Sequence, residues 1–257
     1  MLKKIIISSL LSSMVFSLTA QALPSAPTGK KWVEVSELTD DFNSFDSNKW
    51  QKGHPYWSGR APSVYNNNNI AVTDGLLKLN MSVKDPSQNG NWIWAACVTS
   101  KTKAFTKGMY SEVKIKVADL SVTSSFWMQG AYSEIDVIEN YGRVENNSLL
   151  YLDYTMETNT HYFPNGWDKD LKTQKHFTNP GNGRNADKYY TYGVWWKDNR
   201  NMTFYRDGQE MGSVVTGGNF DEPMYLFFDM EPLLGARVFQ PKHSLTTAVK
   251  IPPTTTT

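Results

Sequence analysis

Ser133-Glu134-Ile135-Asp136-Val137-Ile138-Glu139 alternates acidic and apolar residues with a period of two. Read as a β-strand, it projects Glu134 and Asp136 from one face and Ile135 and Val137 from the other. Glu139 then falls on the wrong parity. Held in register, it would aim a carboxylate into the apolar core at a cost of several kcal/mol, and Ile138 would be wasted on the polar face. A one-residue β-bulge near Val137 or Ile138 reverses both faults and returns Glu139 to the acidic face.

Similar alternation recurs on either side. Leu77, Leu79, Met81 and Val83 alternate with Lys78, Asn80 and Ser82, and Val113, Ile115 and Val117 with Glu112, Lys114 and Lys116. Asp74-Gly75 and Asp207-Gly208 are hairpin signals. From Met224 to Glu231, Met224, Leu226, Phe228 and Met230 can face a core while Tyr225, Phe227, Asp229 and Glu231 share the other face. A face carrying aromatics and acids together suits a cleft. No long 3.6-residue apolar period follows residue 22, so the pattern predicts an all-β, antiparallel sandwich. The polar, Asn/Gly/Pro-rich stretches Trp57 to Asn69 and Phe163 to Asp187 are expected to be loops rimming the cleft.

Lys3-Lys4, an apolar run to Leu18 and Thr19-Ala20-Gln21-Ala22 have the parts of a secretory signal peptide, with cleavage expected after Ala22. The run is short and broken by serines, which argues against a membrane span. About 235 residues remain, a usual length for one all-β domain. A formal net charge of +1 argues against a nucleic-acid partner and fits a polysaccharide. The single cysteine, Cys97, excludes an internal disulfide and, within Trp94-Ala95-Ala96-Cys97-Val98, reads as a small buried hydrophobe. Of the tryptophans, Trp92, Trp94, Trp195 and Trp196 are assigned mainly to the core, with Trp94 as the exception to watch.

Three acids on one short strand face repel one another and push their pKa values apart, so that one carboxyl can keep its proton while another is ionised. That division of labour suits glycoside hydrolysis, although the same spacing also fits a solvated acidic strand or a calcium site.

Glu134-Ile135-Asp136-Val137-Ile138-Glu139 is similar to the Glu-x-Asp-x-x-Glu signature of glycoside hydrolase family 16. The flanks Ser124-Ser125-Phe126-Trp127-Met128-Gln129-Gly130 and Asn140-Tyr141-Gly142 look most like β-agarases. Tyr56-Trp57-Ser58-Gly59-Arg60-Ala61-Pro62, Asn159-Thr160-His161-Tyr162-Phe163, Tyr192-Gly193-Val194-Trp195-Trp196 and Phe227-Phe228-Asp229-Met230-Glu231 extend the likeness. The resemblance implies a jelly-roll sandwich of the concanavalin-like kind with its cleft on one sheet face. It also implies a secreted, monomeric, retaining endo-hydrolase that cuts the β-1,4 linkages of agarose to neoagaro-oligosaccharides. By the same resemblance Glu134 is the nucleophile, Glu139 the acid/base and Asp136 the helper between them. Trp57 and Trp127 become sugar-stacking platforms, and Arg60, His161 and Glu231 hydrogen-bonding groups to the sugar. No cofactor is expected for catalysis. A structural calcium ion fits the family, with its ligands left open among Asp40, Asp41 and Asp46. Porphyranase, laminarinase and a non-catalytic carbohydrate-binding jelly roll are the rival readings.

The chain departs from the family after Glu231. Pro232-Leu233-Leu234-Gly235-Ala236-Arg237 and Lys250-Ile251-Pro252-Pro253 replace the usual ending. No terminal strand is expected there, and a sheet edge should be left uncovered.

Overall fold

Asp74 and Gly75 take positive φ values of 58° and 69°, and Asp207 and Gly208 values of 49° and 73°. Two successive residues in the left-handed region make the turn whose twist matches paired strands. The turns therefore close Ile70–Thr73 onto Leu76–Leu79 and Asn201–Arg206 onto Gln209–Val215, as their sequences predict. The computed structural model describes residues 23–87 and 89–232 and the strand backbones of Thr247–Lys250 and Thr254–Thr256. The expected signal peptide lies outside the described residues.

Two sheets face each other. The cleft sheet has seven strands in the order Lys175–Thr178, Thr155–Tyr162, Ser133–Asn140, Ser124–Gln129, Tyr225–Asp229, Cys97–Ser100 and Trp50–Lys52, all antiparallel. The outer sheet is built around Tyr110–Lys116 and Tyr190–Trp196. A small third sheet joins Ser63–Tyr65, Ile93–Ala95 and Ser82–Val83, and holds a parallel pair.

The alternating apolar residues meet between the two main sheets. Val113 and Ile115 from the outer sheet join Phe126, Met128, Ile135, Leu226 and Phe228 from the cleft sheet in one buried cluster. Burial at about 25 cal/mol per Å² of apolar surface must hold the sandwich without a covalent staple, because Cys97 is free and fully buried. Trp196 is fully buried, whereas Trp92, Trp94 and Trp195 are half-buried. Trp94 lies under Lys84, 4.8 Å from its ring, outside the cleft lining.

The tail corrects one expectation. Thr247–Lys250 is a strand lying between Tyr110–Lys116 and Leu76–Leu79, with Val249 paired to both Ile115 and Leu77. Thr254–Thr256 pairs with Trp32–Glu34. The segment has no alternating signature of its own. Its strand form is set by the two ladders that flank it, an instance of tertiary context overriding local pattern.

Candidate active site

The ladder between Ser124–Gln129 and Ser133–Asn140 changes register once. Phe126 pairs with Ile138 and Trp127 with Asp136, so Val137 is the extra residue of a β-bulge. Val137 and Ile138 are both fully buried in the core, while Glu139, opposite Ser125, is partly exposed. This is the parity reversal that the sequence requires. Glu134, Asp136 and Glu139 consequently line one cleft of about 620 Å³.

Each carboxyl has different company. Gln129 Nε2 donates to Glu134 Oε2 at 2.5 Å. His161, opposite Glu134 in the ladder, sets Nε2 3.3 Å from Asp136 Oδ2 and 3.8 Å from Glu134 Oε1. Its Nδ1 lies 2.7 Å from Asp170 Oδ2, and Nε2 also faces Asn159 Nδ2 at 2.8 Å. Burial alone would lower the His161 pKa, but Asp136, Glu134 and Asp170 around the ring push it up to about 10. The three carboxylates around the ring favour its imidazolium form.

Burial and then the Asp136 charge raise Glu134 to about 8, against the opposing pull of His161 and Gln129. Glu139 is raised well above the usual carboxylate range by burial and by Asp136, Glu231, Glu134 and Asp229. The result is a cleft in which both glutamates are held above the usual carboxylate range, with His161 and Gln129 opposing the rise at Glu134.

The predicted sugar-binding residues all come to this cleft or its edge. Arg60 Nε donates to Glu231 Oε2 at 2.7 Å, and the Arg60 guanidinium stands 6.0 Å from the Trp57 ring. Trp57 is 38% exposed and open to a ligand. Trp127 is a more covered platform than its position predicts, only 7% exposed and stacked on Phe227 at 4.2 Å. The two polar stretches do rim the cleft, but each contains strand, Ser63–Tyr65 in the first and Pro164–Trp167 and Lys175–Thr178 in the second.

Several residues escape the sequence reading. His54 stacks on Phe227 at 4.6 Å, and burial lowers its pKa to about 4, so it is uncharged. Tyr65 OH donates to Asp229 Oδ2 at 2.6 Å. Trp167, 62% exposed, lines the cleft beside Phe163, whose ring stacks on His161. Asp170 gave no signal within its polar run. Only the Tyr225, Phe227, Asp229 and Glu231 alternation could have pointed to the Asp229 neighbourhood.

Metal-capable side chains gather, among the described residues, at Glu134, Asp136 and His161 rather than at the amino-terminal acids. Asp40 instead accepts from the Phe42 N–H and from the Trp50 indole at 2.7 and 2.8 Å, and Asp46 accepts from the Asn48 N–H.

A model of the family described as "Beta-porphyranase A-D, GH16 domain" matches residues 32–246. β-Porphyranase B of Zobellia galactanivorans is 27% identical over 248 residues, covering 86% of this chain and 83% of that protein. β-Agarase AgaB34 of Agarivorans albus is 31% identical over 194 residues, covering 71% of this chain and 41% of that protein. The crystal structure of porphyranase B from Z. galactanivorans superposes with a TM-score of 0.79 at 24% identity, covering 91% and 99% of the two chains. β-Agarase A from the same organism gives 0.78 at 18% identity, covering 94% and 98%. These likenesses confirm the jelly-roll fold, and the relatives include both β-porphyranases and the β-agarases that the sequence flanks suggest. With that match spanning most of the chain and the Glu-x-Asp-x-x-Glu run standing in the cleft floor, the chain belongs to glycoside hydrolase family 16.

Proposed function

We propose that this chain is a secreted, monomeric, retaining endo-hydrolase of agar-type galactan, with porphyran preferred and agarose second. The observation that carries the reading is the bulge at Val137, which brings Glu134, Asp136 and Glu139 to one cleft floor. The family description and the porphyranase relatives support porphyran; the likeness to β-agarase AgaB34 supports agarose.

In the first step a Glu134 oxygen attacks the anomeric carbon as its bond to the leaving oxygen breaks, and Glu139 gives that oxygen a proton. In the second, Glu139 takes a proton from water, the water oxygen attacks the same carbon, and the Glu134 carboxylate leaves. Two inversions give retention. This chemistry needs the two carboxyls about 5 to 5.5 Å apart. Their common neighbour Asp136, whose charge acts on both, supports such an approach. Asp136 Oδ2 is buried without a well-aligned protein donor and stands 3.3 Å from His161 Nε2.

Catalysis in this reading needs no cofactor. A structural calcium ion, also proposed from the resemblance, would have to find ligands beyond Asp40 and Asp46, whose oxygens already accept from neighbours. Among the described residues no helix is long and apolar enough to cross a membrane. Secretion is checked by mass spectrometry of exported protein, which should begin at Leu23.

A reducing-sugar assay on porphyran, agarose, carrageenan and laminarin tests the substrate. Porphyran should be cut fastest and agarose next; hydrolysis of laminarin alone, or of none, would defeat the proposal.

A further inference from the structure

Gln129 and Glu134 face each other across a hairpin, at the ends of two strands joined by Gly130, Ala131 and Tyr132. The Gly130 N–H closes the turn on Ser133 O at 2.9 Å. The bond from Gln129 Nε2 to Glu134 Oε2 joins two flexible side chains, so its survival depends on that turn keeping its shape.

Glu222 holds the turn from outside. It lies three residues before the strand Tyr225–Asp229 and is absent from the cleft lining. Its Oε2 accepts from the Ala131 N–H at 2.6 Å, and its Oε1 accepts from the Tyr132 N–H and the Ser133 hydroxyl, each at 2.8 Å. Three donors of one turn thus converge on a single carboxylate, and bonds to an ionised acceptor are the strong ones. The approach is close enough that a Cβ on Gly130 would meet Glu222 Cδ at 2.2 Å. Glycine is needed there for space.

The other side of the turn is tied to the second partner of Glu134. Tyr132 O accepts from the Phe163 N–H at 2.8 Å, and the Phe163 ring stacks on His161 at 5.9 Å. The segment leading to Glu222 is itself pressed against the following loop, since Cβ atoms on Gly217 and Gly218 would meet Leu171 O at 2.2 Å and the Tyr162 ring at 2.1 Å. Glu222 is therefore anchored on the side opposite the cleft.

We propose that Glu222 is a positioning residue, whose carboxylate fixes the Gly130–Ser133 turn so that the Gln129 amide stays on Glu134. This role rests on the reading of Glu134 as the nucleophile. Glu222 acts only through the turn.

Hydrogen exchange at the Ala131 and Tyr132 amides, together with steady-state kinetics on porphyran and on agarose at pH 6, tests this in Glu222→Gln. The substitution keeps the size but turns one acceptor into a donor that faces other donors. Exchange at both amides should rise about tenfold. At the same time kcat should fall about threefold with KM unchanged, the loss of one modest hydrogen bond. Gln129→Leu already forfeits that bond, so adding Glu222→Gln to it should lower kcat little further. Gly130→Ala should match Glu222→Gln, because its methyl group displaces the carboxyl, and should cost nothing more in a Glu222→Ala background where the space is vacated. Tyr132→Phe removes only the outward bond to Asp221 and should leave kcat unchanged. Unchanged exchange in Glu222→Gln would overturn the clamp. Raised exchange with unchanged kcat, or a loss that adds in full to that of Gln129→Leu, would overturn the positioning role. Failure of the unsubstituted protein to cut either polymer would instead defeat the reading of the cleft, and the positioning role with it, while exchange still measures the clamp. Melting curves of each variant confirm that the compared proteins are folded.

Discussion

Glu134 and Glu139 stand on one strand and face one cleft, yet their surroundings are opposite in sign. Glu134 has a cation beside it, His161, and a donor, Gln129. Glu139 has Asp136, Glu231 and Asp229 around it, and the nearby Arg60 gives its Nε to Glu231. Both groups are raised by burial, but Glu134 is pulled back toward ionisation by His161 and Gln129, whereas the leading neighbours of Glu139 are carboxylates that raise it further. The difference teaches that the roles of two chemically identical side chains are assigned by neighbours from other strands. His161 and Gln129 favour the ionised form of Glu134, as its proposed nucleophile role needs, and the acids around Glu139 favour the protonated form that its proposed acid role needs.

Removing the two carboxyls separately breaks the comparison most strongly. Glu134→Ala and Glu139→Ala should each lose on the order of a thousandfold or more in turnover. Added azide distinguishes them, giving an inverted glycosyl azide with Glu134→Ala and a retained one, from an activated substrate, with Glu139→Ala. NMR assignment of the azide anomers reads the outcome, and the reverse pattern would exchange the roles.

His161→Gln removes the cation beside Glu134 and leaves both glutamates in place. Glu134 then titrates higher, so the acidic limb of the kcat/KM profile should move up by about one pH unit, with activity at pH 6 falling about tenfold. A limb that stays in place would show that His161 does not act on Glu134.

Glu139 leaves a signature in stability. Its proton is bound more tightly in the folded than in the unfolded chain, so stability is lost as pH rises from the unfolded value of 4.5 through the higher folded one. Glu139→Gln should therefore melt roughly 2–4 °C above the unsubstituted protein at pH 8. The gain should vanish near pH 4, where both forms are neutral. Calorimetry at the two pH values checks it.

The smallest effect is expected from Gln129→Leu, which removes one donor to Glu134. The acidic limb should rise by about half a unit, less than for His161→Gln, because a single hydrogen bond is weaker than a neighbouring charge.

The catalytic strand was legible because parity is a hard rule. Two acids, two apolar residues and a misplaced glutamate admit few solutions, and the bulge at Val137 is the one observed. The hairpins were legible for a similar reason, since Asp-Gly pairs tolerate the left-handed backbone that the turns impose. His54 and Asp170 were not. Each acts through partners distant in sequence, and nothing in a His near Pro55 or an acid in a polar run announces those contacts. The strand Thr247–Lys250 was missed for a third reason. A segment inserted between two strands takes its form from both, so its own residues need carry little pattern.

Cys97 offers a way to watch the catalytic floor open. It is fully buried with Trp127 and Phe227 on the cleft side of the sheet, and burial together with Asp229 and Glu231 pushes its thiol pKa well up. A thiol reagent needs the thiolate and needs access, and the folded chain denies it both. Labelling therefore proceeds only through openings that expose the Tyr225–Asp229 and Cys97–Ser100 pairing. Because the sequence contains one cysteine, the labelling rate under native conditions is a local clock. It counts how often the floor beneath the sugar breathes, with no engineered probe.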